Sequence, residues 1–314
     1  MPFVQEHRER FGVEPICKAL QVAPSAVWRE AARQREPALC PSRRQRDAQL
    51  MREIERVWKA NFSVYGADKV WRQLNREKIA VARCTVERLM RRLGLRGVIR
   101  GKSVRTTIAD AKAPCPQDRV NREFRAERPN QLWVSDFTYV STWQGFVYVA
   151  FVIDVFARRI VGWRVSSSMH TDFVLDALEQ ALYARRSDRV GELIHHSDRG
   201  SQYVSIKYTE RLVEAGIEPS VGSRGDSYDN ALAETINGLY KAELIRRRGP
   251  WKTREAVELA TLEWVSWFNH IRLLEPIGYI PPAEAEASYW QQQRHHEHAA
   301  NSTRTIETPQ GVEP

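Results

Sequence analysis

The stretch from Ile194 to Leu244 constrains the chain more than any other. It opens on a short apolar run, Leu193-Ile194-His195-His196, which reads as a buried strand that delivers Asp198 just past its end. It closes on a segment of helical period. There Leu232, Ile236 and Leu239 form one stripe, and Asn230, Glu234, Asn237 and Lys241 form a second at i, i+4, i+7 and i+11. Between Asp198 and Glu234 lie 35 residues. A third acid, Asp136, sits inside the strand-like run LWVSDFTYV. A carboxylate within an apolar strand is costly to bury unless its charge is compensated. Three such acids drawn to one point would bind hard divalent cations.

Charge divides the 314 residues unevenly. Residues 1–112 carry 25 Lys and Arg against 12 Asp and Glu, whereas residues 113–314 carry 23 against 27. A strongly basic front joined to a slightly acidic remainder suggests a polyanion-binding unit ahead of a different domain. The plainer alternative is a basic helical domain without such a partner. Cys17, Cys40, Cys84 and Cys115 are scattered with no CxxC pair, which argues against a zinc knuckle and fits a reducing compartment. The opening MPFVQEHRER lacks an apolar signal region. The longest apolar run, Phe146 to Phe156, is too short to span a bilayer and contains Asp154. The expectation is a cytoplasmic protein with no membrane association.

Residues 1–40 read as three short helices in a helix-turn-helix-like unit. Pro24-Ser25 opens the third helix, with Ser25 as cap and Val27, Trp28 and Ala31 packing inward. A second helix-turn-helix unit spans 43–102. Its helices run from about Asp47 to Ala60, Ala67 to Arg76 and Arg83 to Leu93, with Val70, Trp71 and Leu74, then Val86, Leu89, Met90 and Leu93, as inward faces. Arg83, Arg88, Arg91 and Arg92 remain for solvent or phosphate, and Arg96, Arg100, Lys102 and Arg105 continue the basic run. This unit is the stronger candidate for DNA binding, through phosphate contacts that give affinity rather than sequence reading. Residues 103–131, with Pro114, Pro116 and Pro129, read as a linker.

From 132 the pattern turns to strands. Leu132–Val140, Gly145–Val155 and Arg159–Ser166 are joined by short connections that suggest an antiparallel meander. An amphipathic helix over Thr171–Arg186, the strand into Asp198, a helix over Val204–Ala215, a strand over Ile217–Val221 and the Glu234 helix follow. Three strands, helix, strand, helix, strand, helix is the element order of the ribonuclease H-like fold. The fold class is therefore α/β: a mixed five-stranded sheet with flanking helices over 132–290, preceded by all-α helix-turn-helix units. The polar segment 291–314 is expected to be a disordered tail.

The blocks WVSDFTY (Trp133–Tyr139), IDVFARR (Ile153–Arg159), HSDRGSQY (His196–Tyr203) and SYDNALAE (Ser227–Glu234), followed by KAE at Lys241–Glu243, resemble the transposases of the bacterial IS-three insertion-sequence family, second-reading-frame product. YGADKVWRQL (Tyr65–Leu74), RCTVERLMRRLGL (Arg83–Leu95), WFNH (Trp267–His270) and LEPIGYIPP (Leu274–Pro282) extend the resemblance to about Tyr289. Retroviral integrase is similar more distantly. The resemblance implies a DDE recombinase with Asp136, Asp198 and Glu234 as catalytic and metal-binding triad. Its cofactor would be two Mg²⁺ ions, with Mn²⁺ as substitute, set roughly 3.5–4 Å apart to serve the attacking and departing oxygens. The reaction implied is metal-assisted hydrolysis at an element end, exposing a 3′-OH that then attacks another phosphodiester. No covalent protein–DNA intermediate is required. Lys241 is expected to contact DNA near the site, and Asn230 to support it.

Other acids compete for these roles. Glu243 rivals Glu234 but has no Lys seven residues on, and Asp154 and Asp226 are assigned to structure or a turn. His195, His196 and the HHEH cluster near the C-terminus are given no catalytic role. Ile271 departs from the family, in which a polar or basic residue is usual at that place. The partners implied are the element's terminal inverted repeats and target DNA, a homo-oligomer in a synaptic complex, and an upstream-frame helix-turn-helix protein, all at the bacterial nucleoid. Two alternatives stand beside this reading: a DNA-binding regulator with an inert recombinase domain, and a nuclease of the same fold that cleaves without joining.

Overall fold

The computed structural model describes residues 2–99, 125–186, 192–198, 202–203, 205–221 and 231–306. The described residues fall into two compact units, one within 1–60 and 65–96, the other within 61–64 and 97–314.

The first unit is entirely helical: α1 (Pro2–Phe11), α2 (Val13–Ala19), α3 (Pro24–Arg35), α4 (Ser42–Ala60), α5 (Ala67–Arg76) and α6 (Arg83–Leu93). Val4, Ile16, Cys17 and Val27 form a small core among the first three helices. Pro24 takes the first position of α3, where a missing N–H costs nothing, but the cap residue is Ala23 and no side chain caps the helix. Ser25 is thus not the cap that the sequence suggests, and Trp28 is exposed rather than packed. The helix α4 begins five residues before the expected Asp47, so the basic run Arg43, Arg44 and Arg46 lies inside it. Leu50, Ile54 and Val57 of α4 are buried, as are Val70 and Leu74 of α5 and Val86, Leu89 and Met90 of α6. The turn between α5 and α6 is pinned where Trp71 Nε1 donates to the Val81 carbonyl at 2.9 Å. Gly94 ends α6 at φ 69°, a left-handed conformation that suits a residue without Cβ.

The second unit contains β1 (Leu132–Thr142), β2 (Gly145–Asp154), β3 (Arg159–Ser166), α7 (Thr171–Ala184), β4 (Leu193–Ser197), α8 (Ile206–Glu214), β5 (Ile217–Val221) and α9 (Ala231–Tyr240). A π turn over Lys241–Ile245 follows, then α10 (Arg246–Arg248), α11 (Arg254–His270) and α12 (Pro282–Ile306). The sheet order is β3-β2-β1-β4-β5. The pairs β1–β2 and β2–β3 are antiparallel, and β1–β4 and β4–β5 are parallel, which is the mixed sheet expected.

Both faces of the sheet are covered, which is why β2 reads as an unbroken apolar run rather than an alternating one. Ala150 and Val152 join the core built with Phe173, Val174, Leu178 and Leu182 of α7 and with Tyr208 and Leu212 of α8. Phe151, one residue out of phase, meets Tyr240 of α9 at 5.2 Å and Trp264 of α11 at 6.1 Å. A Cβ at Gly162 would stand 2.1 Å from the Ala177 carbonyl, so glycine there allows α7 to lie against β3. The edge strand β3 is covered in turn. Asn269 of α11 accepts from Ile160 N at 3.0 Å and donates to Ile160 O at 2.8 Å, doing for the strand what a neighbouring strand would do.

Two expectations about boundaries change. Residues of the supposed linker belong to the core by Asn130, whose backbone N–H donates to Asp154 at 2.7 Å, and by Gln131, whose carbonyl accepts from Ile194 N at 3.0 Å. The tail expected to be disordered from Gln291 is instead helical as far as Ile306. Residues 291–306 contain neither Gly nor Pro, and Gln, His, Arg and Ala make up most of them, so nothing in them breaks a helix once α12 has begun. Among the described residues no helix is long and apolar enough to cross a membrane.

Candidate active site

Three separate elements supply the three acids. Asp136 is the fifth residue of β1, Asp198 follows the last residue of the adjacent parallel strand β4, and Glu234 lies in the first turn of α9. The register aligns Ser135 of β1 with Ser197 of β4, so the residue after each, Asp136 within β1 and Asp198 just past β4, lies at the same level of the sheet. Strand alternation sends Phe137 into the α7 core, where its ring meets Phe173 at 5.5 Å, and turns Asp136 the other way, towards α9. There Asn237 Nδ2 donates to Asp136 Oδ2 at 2.8 Å, while the other carboxylate oxygen accepts from Phe137 N at 2.8 Å.

The electrostatics place the acids in one neighbourhood. Protein atoms crowd the Asp136 carboxyl, and this burial pushes its pKa well above the usual range; the charges of Asp198 and then Glu234 add to the rise, against the two hydrogen bonds. Asp198 is half-buried and Glu234 exposed, so the site opens to solvent on the side of α9. Lys241 lies close enough to Asp136 for the two charges to act on each other. Burial lowers its pKa, the charge of Asp136 opposes that, and Arg246 adds to it. The helical stripe expected on α9 is thereby realised from Glu234 through Asn237 to Lys241; Asn230 and Asp226 lie outside the described residues.

Among the described residues no three His, Cys, Asp or Glu side chains are gathered closely enough to enclose a metal ion. The acids feel one another's charge without forming a ready-made cage. Three like charges repel; at Asp136 the charge of Lys241 and the N–H groups of Phe137 and Asn237 work against that repulsion. The donor chemistry, hard carboxylate oxygens with solvent access, suits a divalent cation of the Mg²⁺ type, which keeps several waters and needs few protein ligands.

The competing acids are committed elsewhere. Glu243, 6% exposed, is gripped by Arg272, whose Nη2 donates to Oε1 at 2.6 Å and whose Nε donates to Oε2 at 3.0 Å. Asp154 accepts the backbone N–H groups of Asn130 and Phe156, and burial raises its pKa to about 6. His195 bonds Ser135 Oγ at 2.7 Å and Tyr208 Oη at 3.1 Å, and burial lowers its pKa to about 3, so it is a neutral core residue. His196 bonds Ser220 at 2.9 Å across β4–β5. The residue that sequence reasoning left without a role is Asn237. Its place on the Glu234 stripe was visible; its hydrogen bond to Asp136 needed the packing of α9 on β1.

In the helical unit, Arg83, Arg91, Arg92 and Arg96 are exposed. Arg83 also meets Glu87 at 2.9 Å. Arg88 differs from the expectation: both Nη atoms donate to Asp47, at 2.9 and 2.8 Å, so its guanidinium is spent on holding α6 to α4. Arg100 and Lys102 lie outside the described residues. Ile271 is half exposed just past the end of α11.

Residues 126–227 match the family model described as an integrase core domain, residues 215–282 match a second integrase core model, and residues 44–103 match an HTH-like domain. Fold and site together thus define an integrase-core protein of the ribonuclease H-like class, carried behind a helix-turn-helix unit. The chain is 62% identical over 290 residues to the transposase for insertion sequence element IS629 of Shigella sonnei, covering 92% of this chain and 96% of that one. It is 58% identical over 279 residues to a putative transposase for IS986/IS6110 of Mycobacterium tuberculosis, covering 88% and 98%. Transposase InsF for insertion sequence IS3A of Escherichia coli is 30% identical over 289 residues, covering 90% and 97%. The chain belongs to the IS3-type family of insertion-sequence transposases. Among solved structures, the HTLV-2 integrase catalytic core domain in complex with magnesium is similar at 17% identity and a TM-score of 0.42, over 52% of this chain and 99% of that one.

Proposed function

We propose that this transposase is a DDE polynucleotidyl transferase in which Asp136, Asp198 and Glu234 hold two Mg²⁺ ions, with Mn²⁺ as a substitute. The observation that carries the reading is the shared neighbourhood of the three acids, with α9 tied to Asp136 through Asn237 at 2.8 Å. Bound cations of this kind would activate an oxygen nucleophile and stabilise a departing oxygen in an in-line displacement. Asp136, Asp198 and Glu234 would supply the anionic oxygens that hold them. Asn237 keeps the Asp136 carboxylate in one orientation, and Lys241 offers its ammonium to the phosphate of the incoming strand. The products are a nick with a free 3′-OH at the element end, and then a joined strand.

On this reading Arg83, Arg91, Arg92 and Arg96, with Arg100 and Lys102 beyond the described residues, contact phosphates of the terminal repeats, whereas Arg88 serves the fold. Two ends have to be handled together, so the working form is a homo-oligomer at two terminal repeats and a target, acting in the bacterial cytoplasm at the nucleoid. An upstream-frame protein would act with it.

The assay that tests this uses purified full chain, labelled element ends and Mg²⁺. Asp198→Asn is expected to abolish nicking and joining while sparing end binding. Full nicking by that variant would refute the metal site. Binding without nicking by the parent would instead favour a regulator, and nicking without joining a nuclease.

A further inference from the structure

The turn between β1 and β2 exposes rings that the mechanism leaves unused. Tyr139 is 47% exposed, Trp143 69% and Phe146 57%. Large aromatics left in water along one ribbon of a folded domain mark a binding surface more often than chance. The ribbon is fixed in place. Thr142 Oγ1 donates to Gly145 O at 2.7 Å and accepts from Gln144 N at 3.2 Å, and Trp143 N donates to Trp251 O at 3.0 Å. Phe146 meets Tyr139 edge to face at 5.5 Å.

Each end of this surface carries a cation. Lys241 Nζ lies 4.9 Å from the Tyr139 ring centroid, and Lys252 Nζ lies 5.3 Å from that of Trp143. Residues 139–148, YVSTWQGFVY, contain no acid, and Arg246 stands close enough to Lys241 to disfavour its protonation. Exposed rings interleaved with lysines, without an acid among them, fit nucleic acid better than an apolar protein surface. Stacking on a side-chain ring needs a base face, and a duplex hides its base faces between neighbouring pairs. Lys241 belongs at once to this surface and to the neighbourhood of Asp136, so the surface leads directly to the acids.

We infer that Tyr139, Trp143 and Phe146, with Lys241 and Lys252, form a stacking platform for unpaired nucleotides of the DNA strand entering the acid site. This rests on the proposed active site for the direction of the strand, but the platform itself is testable without chemistry. The experiment measures binding of a mixed-sequence single strand of about 12 nucleotides, and of the corresponding duplex, to the full chain in EDTA by fluorescence anisotropy. Trp143→Ala is expected to weaken single-strand binding about tenfold and duplex binding less than about twofold. Trp143→Tyr should restore most of the loss, which a merely structural ring would not predict. Lys252→Gln should lower the salt slope of single-strand binding by about 0.7. Unchanged single-strand binding in Trp143→Ala would overturn the platform, as would an equal loss for both DNA forms. A variant that changed only self-association would assign the face to a second copy of the chain and also overturn it. Asp198→Asn keeps the two readings apart: loss of nicking with single-strand binding intact supports the acid site whatever Trp143→Ala does, and retained nicking removes the acid site while leaving the platform to its own binding data.

Discussion

Glu234 and Glu243 stand nine residues apart on one nearly continuous helical segment, yet the fold uses them in opposite ways. Glu234 is exposed at the start of α9, close enough to raise the pKa of Asp136. Glu243 is buried in the π turn and neutralised by Arg272. The π turn separates the two environments. It follows directly on the stripe that faces Asp136 and turns Ala242, Glu243 and Leu244 into the interior, a use of π geometry next to a functional site. The contrast teaches that an acid's role here follows from its compensation. The charge of Glu243 is answered inside the protein by a guanidinium, whereas Glu234 stands exposed and bears on another carboxylate, Asp136, which is the setting the proposed cation site requires.

The strongest way to break this comparison is to exchange the two acids' consequences. Glu234→Gln should lower Mg²⁺-dependent nicking about 10³-fold, with the melting temperature unchanged, because the proposal gives this exposed group to a cation site and not to packing. Glu243→Ala should do the reverse. Leaving Arg272 buried and unpaired is expected to cost about 3–5 kcal/mol in urea unfolding, while the nicking rate per folded molecule persists. A variant of Glu243 that folds normally but cannot nick would reverse the assignment.

Asp154 sharpens the contrast from a third side, since it is buried without a dedicated cation. Its folded pKa of about 6 lies above the ordinary aspartate value of 3.8. The folded state therefore binds the proton more tightly than the unfolded state does. The stabilisation from this group is present below about pH 4 and is lost as pH rises through about 6. Relative to Asp154→Asn, the parent should lose on the order of 2–3 kcal/mol of stability between those limits, as read from urea unfolding at a series of pH values. A difference that stayed flat with pH would show that Asp154 ionises as an ordinary surface acid. The smallest expected effect belongs to Asn237→Ala, which removes the donor that orients Asp136. Divalent-cation affinity should fall about 10- to 100-fold in a calorimetric titration, with binding of DNA ends unchanged.

Much of this was legible in the residues. The strands Arg159–Ser166 and Ile217–Val221 and the helix Arg83–Leu93 fall where periodicity puts them, because their ends are marked by turn residues and their faces by one repeating stripe. Spacing singled out Asp136, Asp198 and Glu234, and the lysine seven residues on favoured Glu234 over Glu243; their joint role as a cation site is the proposal made above. Partnerships between distant residues were not legible. Arg88 looks like a free phosphate contact until α4 brings Asp47 to it. Trp28 looks like core until α3 is seen to bury only Val27 fully. The helix through Ile306 was hidden because a polar composition says nothing about packing against a neighbour, yet Glu286 near its start is buried between Arg159, at 2.5 Å, and Arg185. That anchored first turn supplies the costly nucleus from which a polar helix propagates.

The most direct test of the central claim is a titration of Mn²⁺ into the full chain, followed by electron paramagnetic resonance, in the parent and in Asp136→Asn, Asp198→Asn and Glu234→Gln. The account predicts cation binding in the parent that is weakened by every one of the three substitutions, with the folded state intact in each. Cation binding that survives all three unchanged would contradict it.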